Sequence, residues 1–84
     1  LKKSDRDVYG HVLATQSHCA LCGSQNESQL IMHHIRFGAG GRKTYIGNII
    51  RLCSKCHIKV HSNDKKYRPI LIEKINRIEG IDED

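Results

Sequence analysis

Two cysteine pairs, Cys19-Ala-Leu-Cys22 and Cys53-Ser-Lys-Cys56, stand 30 residues apart in this 84-residue chain, and six histidines accompany them. Four thiolates delivered by two C-x2-C turns suit one tetrahedral ion, zinc above all, because each turn brings two sulfurs to the same centre. Such a site is closed, so its role is to hold a fold together. Two disulfides are the alternative pairing, but no export signal accompanies the cysteines. A redox C-x2-C lacks the βαβ surroundings it needs. A two-cysteine, two-histidine site built from Cys53, Cys56, His57 and His61 is too compressed and strands Cys19 and Cys22.

The histidines pose a second question. In "IMHHIRFGAGG", residues 31–41, His33 and His34 are adjacent near the end of an apolar run. Neighbours on a strand point to opposite faces, so the pair cannot chelate one ion from a regular strand. Two different jobs are implied. His57 and His61 are four residues apart and share a face of a short helix. Cys56 lies about 100° round that helix from His57, so zinc can pin one side while imidazoles are presented on another. A second site is therefore expected. His11 and His18 fall outside these patterns and are assigned surface or packing roles.

The elements that must position these groups are few. "SDRDVYGHVLATQ" has a cap-like Ser4 and carries Val8, Val12 and Leu13 along one face, which predicts a helix over about 5–15. The first cysteine pair forms a turn-rich knuckle. "LIMHHI" reads as a strand, "RFGAGGRKTYIG" as a glycine-rich loop and "NIIRLC" as a second strand bounded by Gly47, the two strands pairing antiparallel. "SKCHIKVHSN" is a short helix. After Pro69, Leu71, Ile75 and Ile78 are helically spaced up to Gly80, which predicts a helix over about 70–79. The tail "IDED" is expected to fray.

With 38% apolar residues and no tryptophan, a chain of this length buries too small a core to be comfortable alone. Zinc in the cysteine site, worth on the order of 10 kcal/mol, answers that need. The class implied is a small zinc-stapled α+β domain, one domain over residues 1–84. No apolar run approaches the roughly 18 residues of a membrane span and no signal segment opens the chain, so a cytoplasmic location without membrane contact is expected. A first residue of Leu1 suggests a trimmed product or a fragment, and the sequon Asn26-Glu27-Ser28 is read as chance.

Charge is concentrated. The chain carries +5, while the stretch from Arg36 to Arg68 alone carries +8, with Asp64 its one acidic residue. A positive middle between weakly acidic flanks points to a polyanion, most plausibly nucleic acid, over an ordinary solvated surface.

The combination of "C-x2-C", "HHI", "GG", "GN", "LC-x2-CH" and a final "H", running from about Cys19 to His61, resembles the HNH endonucleases, the ββα-metal nucleases, in the variant with a four-cysteine zinc site. Asn48 lies 14 residues after His34, and His57 nine after Asn48, in that family's order. The resemblance implies a ββα-metal core over 19–62 with flanking helices, and an enzyme that hydrolyses phosphodiester bonds in DNA. It further implies His33 as a ligand of a catalytic metal, His34 as general base, Asn48 as the residue orienting the base and its loop, and His57 as a second ligand. His61 matches a position that is a third ligand in some members and a phosphate contact in others. Ile31 stands where many relatives carry an acidic residue, and Phe37-Gly38 where they carry a proline.

The chemistry supplies its own reason for adjacent histidines. Phosphodiester hydrolysis needs the attacking water and the leaving oxygen on opposite sides of phosphorus, so base and metal must approach from different directions. Imidazole ligands favour Mn²⁺, Ni²⁺, Co²⁺ or Zn²⁺ in affinity, with Mg²⁺ able to serve through abundance. Gly38, Gly40 and Gly41 permit close approach of backbone to phosphate, and Arg36, Arg42, Lys43, Arg51, Lys55 and Lys59 are candidate DNA contacts. A non-catalytic zinc module that binds nucleic acid is the rival reading, and it has no need of His34, Asn48 and His57 at these spacings. The expected partner is DNA, with the chain a monomer or weak homodimer, or part of a larger nuclease or phage assembly.

Overall fold

The computed structural model describes residues 3–38 and 41–81; it gives no account of the side chains of residues 3, 27, 37, 38, 41 and 42. Gly40 and residues 82–84 of the acidic tail lie outside the described residues. The order is α1 (Lys3–Thr15), a 3₁₀ turn (Glu27–Gln29), β1 (Leu30–His34), β2 (Phe37–Gly38), β3 (Gly41–Arg42), β4 (Ile49–Cys53), α2 (Ser54–Ser62) and α3 (Asp64–Glu79). β1 and β4 pair antiparallel, with His33 opposite Ile50 and His34 opposite Ile49. The architecture is thus a small α+β fold, with three helices around a two-stranded antiparallel sheet.

Residues paired across an antiparallel ladder share a face. On one face Ile50 and Leu52 join Val60 of α2 and Leu71 and Ile75 of α3 in a buried cluster that also takes in Cys19, Ile35, Cys53 and Cys56. On the other face the sheet is covered by Val12 of α1 and by Gln16 just past the end of that helix, both buried. All five residues of β4 are buried in consequence. The outer edge of β4 finds its partners outside any strand. Gln16 Nε2 donates to Ile49 O at 3.1 Å, Gln16 Oε1 accepts from Arg51 N at 3.0 Å, and Ala20 N donates to Arg51 O at 3.0 Å.

Three expectations are corrected. The last helix begins at Asp64, and Pro69 lies inside it. Tyr67, Leu71 and Ile75 follow one another at intervals of four, and all three pack on the core, so the apolar face already requires helix before the proline. The solvent-exposed proline removes one N–H from the ladder without ending it. The glycine-rich stretch is not all loop, since β2 and β3 form a minimal hairpin within it. Leu13 and Ile78 are 52% and 43% exposed, so each helix buries a narrower stripe than its apolar spacing suggests.

Two glycines meet the backbone demands made of them. Gly80 closes α3 in the left-handed region at φ 67°, with Ile81 N returning to Asn76 O at 2.8 Å. Gly47, at φ 97°, leads into β4, and a Cβ there would stand 2.7 Å from Ile81 Cδ1. Truncating Gln16 tests the edge arrangement, because it leaves buried backbone groups of β4 without partners. Gln16→Ala should lower the unfolding free energy by about 1–3 kcal/mol, measured by urea denaturation of the zinc-loaded protein. An unchanged midpoint would remove Gln16 from the account of sheet stability.

Candidate active site

The knuckle and the start of α2 bring the four cysteines together. Their sulfurs all lie within 4.8 Å of one another, Cys22 Sγ and Cys53 Sγ standing 3.6 Å apart. That separation is close to the edge of a tetrahedron with metal–sulfur bonds of about 2.3 Å. No disulfide joins them. Cys19 feels burial, which raises its thiol, but the N–H groups of Cys22, Cys53 and Leu21 outweigh it and bring the thiol down to about 6. Cys53 is lowered chiefly by the N–H of Cys56. Cys56 is driven the opposite way, by burial first and then by the neighbouring sulfurs. Cys22 receives a lowering contact from Ser24, yet the crowding of Cys19 and Cys53 leaves it raised. Four sulfurs this close can all ionise only beside a compensating cation, and the donor set fits zinc.

β1 then divides its two histidines between the faces of the sheet. His33, 2% exposed, points to α2, where its ring centroid lies 5.3 Å from that of His57 and 5.3 Å from that of His61. His57 Nε2 and His61 Nε2 are 3.0 Å apart, and the three residues offer ligand nitrogens within 4.8 Å of one another. His33 Nε2 is buried with no hydrogen-bond partner. Burial first, and the nearby His57 and His61 second, depress His33 to about 4, so at neutral pH the ring is uncharged and its lone pair is available. An orphaned buried nitrogen facing two more imidazoles fits a divalent metal ion.

His34, 8% exposed, points to the other face. Its Nε2 meets Thr44 Oγ1 at 3.1 Å and the Tyr9 hydroxyl at 3.5 Å, and the Tyr9 ring stands edge-on at 6.3 Å between centroids. Asn48 is fully buried and ties the loop after β1 to the loop before β4. Its Oδ1 accepts from Arg36 N at 2.8 Å, and its Nδ2 donates to Arg36 O at 3.1 Å and Lys43 O at 2.6 Å. A primary amide is the one neutral side chain that can both donate twice and accept in this way.

Among the basic residues, Lys43, Lys55 and Lys59 are exposed and Arg36 is half-buried, while the Arg42 side chain lies outside the described residues. Arg51 is corrected. It is 4% exposed, and its Nη1 donates to Gln16 O at 3.2 Å, because β4 is covered on both faces and an arginine there must find its partners inside. His11 bonds Glu79 at 2.8 Å, linking α1 to α3, and His18 is exposed beside Ser17. Sequence reasoning passed over Gln16, Tyr9 and Thr44. Gln16 lies one turn beyond Val12, which is a signal for a shared face, whereas nothing local distinguishes Thr44.

A family model described as HNH endonuclease matches residues 19–63, more than half of the chain. The protein belongs to the HNH endonuclease family, and a nuclease-type function follows at that level. No curated protein and no solved structure matched it. Among the described residues no helix is long and apolar enough to cross a membrane.

The cysteine site generates a direct expectation. Purified protein should keep one zinc per chain through mild chelation, and Cys53→Ser should lose both the metal and the cooperative unfolding transition, read by elemental analysis and circular dichroism. Thiol titration revealing two disulfides and no zinc would overturn the assignment.

Proposed function

We propose that this chain, taken as one nuclease domain over residues 1–84, is a metal-dependent DNA endonuclease that nicks one strand per encounter. The observation that carries the reading is the division of labour on β1: His33 joins His57 and His61 on one face, and His34 stands on the other beside the Asn48-tethered loop. His33, His57 and His61 would hold the catalytic divalent ion. When bound, that ion supplies Lewis-acid stabilisation of the charge developing on the phosphate and the leaving oxygen. His34 acts as general base, accepting a proton from the attacking water as its oxygen bonds to phosphorus. The bond to the leaving oxygen breaks, and that oxygen keeps the electron pair. Lys43, Lys55 and Lys59, exposed around this region, neutralise neighbouring phosphates together with Arg36. The cysteine site holds structural zinc.

A supercoiled-plasmid assay with and without Mg²⁺ or Mn²⁺ tests the reading. His34→Ala should lower the cleavage rate by about 10² to 10⁴ while leaving zinc content and DNA affinity nearly intact. Equal rates for the variant and the parent would refute the base assignment, and DNA binding without metal-stimulated cleavage would favour the binding-module alternative. Product order is a second expectation. One base and one open metal site make one in-line attack, so open circles should accumulate before linear DNA, and nicking should weaken steeply with salt. Linear product appearing first from demonstrably monomeric protein would defeat the single-site account.

A further inference from the structure

We infer that Tyr45 and Ile46 form an apolar wedge that opens one base step of the DNA close to the phosphate under attack. The inference rests on the reading of the chain as a DNA nuclease, and it adds a contact to bases where that reading supplies contacts to phosphates alone. Both side chains are large, adjacent in sequence and left in solvent, Tyr45 at 43% and Ile46 at 39% exposure. Single apolar residues on a surface need no explanation, but here two successive ones occupy a turn next to the candidate base. Thr44 Oγ1 stands 3.1 Å from His34 Nε2, and Tyr45 follows Thr44 directly. One step along the chain is about 3.8 Å, so the turn and the imidazole lie within a few base rises of each other, at about 3.4 Å each.

The turn is built to hold its tip still. Asn48 N donates to Tyr45 O at 3.0 Å, closing four residues, and Gly47 is the one among them with a positive φ, the pattern of a type II turn. The Asn48 amide also grips Lys43 O at 2.6 Å and both backbone groups of Arg36, so the turn is fastened to the segment after β1. Ile81 Cδ1 fills the space beside Gly47 that a Cβ would need. None of these ties uses the side chain of Tyr45 or Ile46. Two side chains fall far short of the roughly 800 Å² per partner that a stable protein interface covers, whereas one inserted apolar side chain suffices to prise a base step apart. Ile46 enters the step, and Tyr45 offers a ring on which the exposed base stacks. Charge agrees with a nucleic acid here: Lys43 is exposed at the foot of the turn, in the stretch from Arg36 to Arg68 that carries +8.

Prising a step open costs stacking and pairing, and a mismatch has already lost part of both. A wedge therefore favours mismatched duplex. Fluorescence anisotropy, with zinc-loaded protein and no added divalent ion, compares a short paired duplex with the same duplex bearing one mismatch. The parent should bind the mismatched duplex about 10-fold more tightly, and a variant combining Tyr45→Ala with Ile46→Ala should bind the two within about twofold of each other. Tyr45→Phe, which keeps the ring, should retain the preference. A wedge touches no phosphate, so the double variant should keep the parental slope of log affinity against log salt, whereas Lys43→Ala should lower that slope by about one. Zinc content and circular dichroism check that each variant folds. Equal binding of both duplexes by the parent, or a mismatch preference that survives in the double variant, overturns the wedge and leaves the nuclease reading standing. A reduced salt slope in the double variant does the same. Loss of the preference in Tyr45→Phe would assign the effect to the hydroxyl and overturn it too. A parent that binds neither duplex at low salt defeats the DNA reading itself, and the inference with it.

Discussion

A strand inverts its side chains at every residue, and this protein is organised around that rule at one dipeptide. Because His33 and His34 must diverge, each needs its own covering layer, and the two layers are different helices, one before the sheet in the chain and one after it. α2 supplies imidazoles to one face, and α1 supplies Tyr9 and Val12 to the other, with Gln16 directly after it. A sheet covered on both sides buries polar side chains on both sides, and each then requires a partner or a ligand. Asn48, Arg51 and Gln16 find protein partners. His33 Nε2 has none.

The cysteine quartet extends this arrangement from the sheet to α2. Cys53 ends β4 and Cys56 lies in the first turn of α2, so a metal held there fixes the azimuth of the helix relative to the sheet. His57 follows Cys56 directly and His61 lies one turn further on, so both inherit their direction from the sulfur site. The sulfur cluster thereby sets where the imidazoles on the same helix stand. In a core this small, few apolar side chains are available to do the same work.

Much of this was legible in the sequence where local rules suffice. The C-x2-C turns, the alternation across His33 and His34 and the four-residue step from His57 to His61 are short-range patterns, and each led to residues that the fold brings together. Gly80 likewise ends its helix where expected. What could not be read depends on tertiary cover. Arg51 reads as a surface cation until both faces of β4 are known to be buried. Pro69 reads as a boundary until Tyr67 is known to pack. Thr44 has no periodicity to betray it, since it lies in a loop and its neighbour His34 comes from β1, ten residues away.

Gln16 carries a consequence for how copies of this chain meet one another. A sheet of two strands has two margins, and a margin of unpaired N–H and C=O groups is a template on which foreign strands can add. Along β4 that template is already taken: the amide of Gln16 imitates a strand's backbone against Ile49 and Arg51, and Ala20 completes the row. Growth of the sheet by strand addition is blocked on this side. A glutamine just beyond the end of a helix thus acts as a guard against aggregation, leaving association to the outward surfaces of the helices and the basic loops.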